Sequence, residues 1–141
     1  MPYTYLEHEA DVGLEGTGET IEEAFESGVQ GLLDLMVDTE TIRPADSISV
    51  SAEATEPAAL FVALLNAVLA ERDISGWFFR GFRIDSLAEE DGHWRVEGTL
   101  WGEPVDMSRH SIGNEVKAAT YSGLRFIDQL HSKSVRCVLD I

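Results

Sequence analysis

Apolar and polar positions along the chain change period several times, and each change predicts an element. Tyr3 to Leu6 reads as a short extended piece. It leads into His8-Glu9-Ala10-Asp11-Val12-Gly13 and Leu14-Glu15-Gly16-Thr17-Gly18, whose glycines mark turns or close backbone approach. Ile21, Ala24, Phe25, Gly28, Val29, Leu32, Leu35 and Met36 then recur at helical spacing and form one stripe. A helix is predicted from Thr20 to about Val37. Thr20 and Glu23 match a capping box, and Glu22, Glu23 and Glu26 lie where the helix dipole favours anions. Asp38, near its other end, conflicts with that dipole unless the helix has already stopped. After a loop over 39–46, Ile48, Val50 and Ala52 alternate with serines, as a strand with one polar face does. A second helix is predicted from Pro57, a good first-turn residue, to just before Gly76. Its stripe is Leu60, Phe61, Leu64, Leu65, Val68 and Leu69.

Beyond Gly76 the pattern is extended. Trp77 to Leu87 and the run through Trp94, Val96 and Leu100 flank Asp91-Gly92, a strong hairpin signal. Trp77, Phe78, Phe79, Phe82, Trp94 and Trp101 are expected in the sheet core rather than in a ligand-stacking box. Residues 102–114 form a polar loop with Pro104, Arg109 and His110. Glu115 to Tyr121 is predicted as a strand, with Val116, Ala118 and Thr120 on one face and Lys117, Ala119 and Tyr121 on the other. Leu124 to Leu130 is predicted as another strand. A last strand places Val135, Cys137, Leu139 and Ile141 inward and Arg136, Val138 and Asp140 outward. The order β-β-α-β-α-β-β-β-β-β predicts an α+β fold, a mostly antiparallel β-sheet with two α-helices packed on it, as one domain over 1–141.

Composition narrows the function. Ten basic against 26 acidic residues give a net charge of −16. Such a chain repels a phosphate backbone, which argues against direct nucleic-acid binding and favours cations or a basic protein partner. The excess is spread along the chain and also suits solubility or a saline cytosol. No apolar run approaches the ~20 residues of a membrane span, and the first residues lack the features of a signal peptide. No membrane association and a cytoplasmic location are therefore expected. The single cysteine, Cys137, fits a reducing compartment and an inward, unreactive position.

The usual enzyme signatures are missing: no nucleophile elbow, phosphate-cradling Gly-Lys-Thr loop, dinucleotide fingerprint or zinc-spaced Cys and His. His8, His93, His110 and His131 are scattered, and His93 beside the hairpin turn is expected in solvent. What remains is oxygen: Asp11, Asp38, Asp140 and the carboxylate after Ile141. If the last strand is paired to its end, the Asp140 side chain and the terminal carboxylate lie within a few ångströms, and paired anions call for water or a cation. Carboxylates suit hard ions such as Ca²⁺ or Mg²⁺. Spacing alone leaves their convergence open, and on spacing alone Asp11 reads first as a turn residue bonding its own backbone.

Five segments, in order and at similar spacing, carry a resemblance. They are His8-x-Ala10-Asp11-Val12-Gly13, Thr20-Ile21-Glu22-Glu23-Ala24-Phe25, Gly31-Leu32-Leu33-Asp34-Leu35-Met36, Glu115-Val116-Lys117-Ala118-Ala119-Thr120-Tyr121 and Val138-Leu139-Asp140-Ile141. Together they resemble the archease family. The resemblance implies a small cytosolic protein that is not itself a catalyst. It would activate the tRNA-splicing and RNA-repair ligase that joins 2′,3′-cyclic-phosphate or 3′-phosphate ends to 5′-hydroxyl ends, promoting metal-dependent guanylylation and repeated turnover. By motif match the divalent ion (Ca²⁺, or Mg²⁺ or Mn²⁺) would be held by Asp11, Asp38, Asp140 and the Ile141 carboxylate, with Asp34 one turn before Asp38. Lys117 matches the family's functional lysine. A plain salt bridge from Lys117 to Asp140 or Asp11, worth ~0–1 kcal/mol if exposed, is the alternative. Two other classes stay open: a chaperone-like module for an RNA-modifying enzyme such as an RNA methyltransferase, and a stand-alone metal-dependent phosphoesterase.

Overall fold

Thr20 opens the first helix as its sequence requires. The Thr20 hydroxyl accepts from the Glu23 N–H at 3.1 Å, and the Glu23 carboxylate accepts from the N–H of Glu19 at 2.8 Å, one residue earlier than a standard capping box. The computed structural model describes residues 2–8 and 11–141, apart from the side chains of residues 7 and 8; Glu9 and Ala10 of the first resemblance segment lie outside the described residues. Helix α1 (Ile21–Met36) buries Ala24, Phe25, Val29, Leu32 and Met36 of the predicted stripe, and Leu33 besides. Val37 is already extended, its N–H bonded to Leu33 O, so α1 stops before Asp38 and the conflict with the dipole does not arise. Helix α2 (Pro57–Ser75) buries all six predicted apolar positions. It ends at Gly76, whose φ of 71° is the left-handed conformation a helix C-terminus favours and a β-carbon disfavours.

Strands β1 (Tyr3–His8), β2 (Asp11–Gly18), β3 (Asp46–Ala54), β4 (Trp77–Glu90), β5 (His93–Pro104), β6 (Ala118–Gln129) and β7 (Ser132–Asp140) form two antiparallel sheets, ordered β1-β2-β7-β6 and β3-β5-β4. Each helix touches both sheets: α1 lies against β2 and β4, and α2 against β3 and β6. One hydrophobic core joins them, with the Phe25 and Phe61 rings 5.4 Å apart between the helices. Among the described residues no helix is long and apolar enough to cross a membrane.

The Asp91-Gly92 turn is as predicted, with φ of 54° and 76° at its two central residues. Of the six aromatics expected in the sheet core, Phe79 and Phe82 are buried, while Trp77, Phe78, Trp94 and Trp101 are half-buried along its margin. Cys137 is fully buried, and burial pushes its thiol up to about 12.

Two expectations need correction. The strands predicted over 115–121 and 124–130 are one strand, β6, kinked by a register shift between Thr120 and Arg125 that Gly123 (φ 61°) accommodates. The kink lies over Val138, on the outward phase of β7, and buries it. In the first half Ala119 is buried and Tyr121 exposed, while Ala118 and Thr120 are half-buried. Residues 115–117 are not yet in the strand. Val116 is anchored separately, its carbonyl accepting from Arg72 Nη1 at 3.0 Å. From Ala119 onward the phase is set by Asn66, whose side-chain amide bonds both backbone groups of Ala119 at 3.0 and 2.9 Å.

Candidate functional site

The pairing of β2 with β7 sets Asp11 opposite Asp140, followed by Val12 opposite Leu139 and Gly13 opposite Val138. Directly opposed residues of an antiparallel pair point to the same face, with β-carbons about 4.5–5.5 Å apart. His8 on β1 lies opposite Asp11, and Ala118 on β6 opposite Asp140, so one row across the sheet reads His8, Asp11, Asp140, Ala118. The alternate β7 residues Val135, Cys137 and Leu139 face the core, which puts Asp140, and with it Asp11 and Ala118, on the other face. Asp11 is the first residue of β2. Like charges in directly opposed positions destabilise a sheet. Among the described residues neither carboxylate has a cation or hydrogen-bond donor beside it. Ile141 follows directly, half-buried against the core.

Lys117 comes just before β6. Its N–H donates to Asp140 O at 2.8 Å, and its side chain is exposed. Among the described residues it makes no ion pair with Asp11 or Asp140, so the plain salt bridge does not form.

Asp38 follows the end of α1. It caps a short 3-10 turn, Thr39–Thr41, with Oδ1 accepting from the Glu40 N–H at 3.1 Å. Its own N–H donates to Ser111 O at 2.8 Å. From there residues 111–117 run across the end of α1: Gly113 N–H bonds Met36 O, Asn114 N–H bonds Leu35 O, and Lys117 N–H reaches Asp140. Asp38 and Asp140 are thus tied to opposite ends of one segment. Asp34, the neighbouring alternative, is fully engaged, accepting from the Tyr3 hydroxyl (2.6 Å), Thr39 Oγ1 (2.8 Å) and Gln30 Nε2 (3.0 Å). Burial and then the Asp34 carboxylate raise the Tyr3 phenol above its ordinary range. Asp34, Asp38 and Tyr3 line one open cavity of about 460 Å³. Among the described residues no group of three or more His, Cys, Asp or Glu side chains is gathered in a metal-holding arrangement. The backbone brings Asp11, Asp140 and Ile141 together, and residues 111–117 link them to Asp38.

One cluster escaped the sequence reading. Glu103, only 6% exposed, accepts two bonds from the Arg109 guanidinium (2.7 and 2.8 Å), one from the Arg43 N–H (2.7 Å) and one from His110 Nε2 (2.9 Å). His110 Nδ1 accepts from the Asp106 N–H at 3.0 Å, which fixes the proton on Nε2. The Arg109 guanidinium, then the Arg43 N–H, hold the Glu103 carboxyl well below the usual carboxylate range. This cluster fastens the stretch that leads into residues 111–117. Its members come from the end of β5, the irregular loop after it and the loop before β3, where no period relates them; the available signal was a Glu, an Arg and a His within eight residues of each other.

Residues 3–141 match the family described as the Archease protein family. A protein archease from Thermococcus gammatolerans is 36% identical over 123 residues, covering 87% of this chain and 86% of the relative. One from Danio rerio is 33% identical over 141 residues, covering 99% and 85%. The solution structure of Methanobacterium thermoautotrophicum protein 1598 superposes with a TM-score of 0.84 at 24% identity, over 99% of both chains. The crystal structure of a Thermotoga maritima protein, described as an archease and possible chaperone, gives 0.61 at 22% identity, over 96% and 94%. At those identities the two structures speak for the α+β fold alone.

Proposed function

The chain belongs to the archease family, and from that we propose that it is a non-catalytic, metal-binding protein partner of the tRNA-splicing and RNA-repair ligase, acting in the cytoplasm. It promotes the ligase's metal-dependent guanylylation and so its multiple turnover. The observation that carries the metal part is the register of β2 and β7, which opposes Asp11 to Asp140. A sheet bears the repulsion of facing carboxylates more readily when a cation shares them.

The donor set fits a hard divalent ion: carboxylate oxygens from Asp11, Asp140 and the end of Ile141, with Asp38 brought in from the other end of residues 111–117. Ca²⁺, Mg²⁺ and Mn²⁺ all suit it. When bound, the ion supplies neutralising charge and Lewis-acid character at the surface offered to the ligase. The row lies on a sheet face away from the core, so the carboxylates are positioned by backbone pairing before any partner arrives. Lys117, whose backbone bonds Asp140 and whose exposed side chain makes no ion pair among the described residues, offers an ammonium to the partner or its nucleotide.

The test is a ligation assay with the cognate ligase at limiting enzyme, with and without this protein, across a divalent-ion titration. Multiple-turnover ligation is expected only with the protein. Asp140→Ala is expected to abolish that activation while leaving the circular dichroism spectrum unchanged; full activation by the variant sinks the metal mechanism.

A second reading, a chaperone-like module for an RNA-modifying enzyme such as an RNA methyltransferase, is favoured by the description of the Thermotoga relative as a possible chaperone. A pull-down that returns a methyltransferase and no ligase would select it.

A further inference from the structure

Large apolar side chains stand exposed where both helices end. Ile74 is 79% exposed, Met107 74%, Ile112 46% and Val105 40%. Exposed apolar residues scattered singly need no explanation, but contiguous ones do. The backbone brings these four residues to one end of the fold. Val105 N–H bonds Gly76 O, two residues past Ile74, and Met107 is two residues past Val105. Ile112 and Asp73, the neighbour of Ile74, line one cavity of about 320 Å³ whose floor includes Met36 and Phe78. The end is held in shape: Arg72 Nη1 bonds Val116 O at 3.0 Å and contacts Met36 Sδ at 3.2 Å, tying α2 to α1.

The charge around this patch is acidic. Asp73, Asp106 and Glu115 outnumber Arg72 and Arg109, and both arginines are already paired, with Asp73 and the buried Glu103. Nucleic acid and anionic lipid are repelled by such a rim, and so is a second copy carrying −16. A protein face that centres an apolar side chain among lysines and arginines complements it in both respects.

We propose that the apolar end formed by Ile74, Val105, Met107 and Ile112 is the docking surface for the protein partner, which meets it with an apolar centre and a basic rim. This rests on the partner reading above and adds where the partner sits. Ile112 lies near the start of the 111–117 segment whose other end, Lys117, bonds Asp140, so this segment connects the patch to the carboxylate row.

The experiment measures binding of the cognate ligase to the wild-type protein and to Ile74→Asp, Met107→Asp and Leu130→Asp at low and high NaCl, alongside ligation. Ile74 and Met107 are mostly exposed, so their variants are expected to fold, checked by thermal melting. Each is expected to weaken Kd by roughly tenfold or more. Leu130, 82% exposed in the β6–β7 turn at the opposite end of β7, is the control and is expected to bind as wild type. Wild-type affinity is expected to fall as salt rises. Wild-type affinity in both patch variants, or a wild-type dimer in sedimentation that these variants dissolve, overturns the docking surface. If the wild type binds the ligase without stimulating it, the activator reading fails alone, and the patch is judged on its own variants. If the wild type binds no ligase, both fall.

Discussion

At the scale of the residue, Glu103 is a buried carboxylate that stays ionised because donors surround it. Its folded-state pKa lies below the ordinary value of 4.5. The stability it contributes is therefore fully present above that value and is lost as pH falls through the acid range beneath it. Glu103→Gln keeps the shape but not the charge, and leaves Arg109 without its bidentate partner. It is expected to lower the melting temperature at pH 7 and to flatten its dependence on pH between about 5 and 3. Circular dichroism melts across that range check this; equal slopes in the two proteins would mean that Glu103 does not carry the acid sensitivity. Glu103 was not legible in the sequence, because its partners come from an irregular loop and from a backbone N–H that no side-chain pattern announces. Asp11 and Asp140 were legible as candidates through family likeness, and Asp140 also through its place on a period-two strand. That the two are opposed is a matter of register, which neither strand states alone.

At the scale of the element, α1 was legible almost to the residue, since its cap, stripe and end each have a local signature. Strand β6 was misread because one glycine kink looks, in sequence, like the gap between two strands. The seat of α1 on β2 depends on close backbone approach. A β-carbon at Gly16 would lie 2.2 Å from Ala24 O and 2.7 Å from Gly28 N, both backbone atoms that cannot turn aside. Gly16→Ala is expected to cost about 2–3 kcal/mol by forcing helix and strand apart. Urea denaturation at neutral pH measures it; a loss under about 0.5 kcal/mol would mean that the two elements slide freely over each other.

At the scale of the whole molecule, the α+β class followed from counting elements, but the split into two sheets did not. Which strands share a sheet is set by long-range pairing, and the alternation of each strand is the same in either arrangement. The net charge of −16 acts on the molecule as a unit. Local pairs such as Arg136 with Glu15 and Arg95 with Glu97 are few against the acidic excess, so added salt is expected to relieve more repulsion than it weakens attraction. Raising NaCl from about 0.05 to 0.5 M should raise the melting temperature by a few degrees, on the order of 1 kcal/mol. A flat or falling response would place the stability in the ion pairs instead.

The ladder between β2 and β7 has a bearing on how the chain reaches this state. Glu15 and Arg136, bonded across it, are 121 residues apart. Closing so long a loop is entropically costly and comes late, after local hairpins and helices have formed. Until then the β1–β2 hairpin waits with one edge unsatisfied, and the opposed carboxylates at its far end do not yet exist as a pair. A partly folded or nicked chain therefore offers no such pair. Any partner that reads the row across β2 and β7 reads, in the same act, that folding is complete.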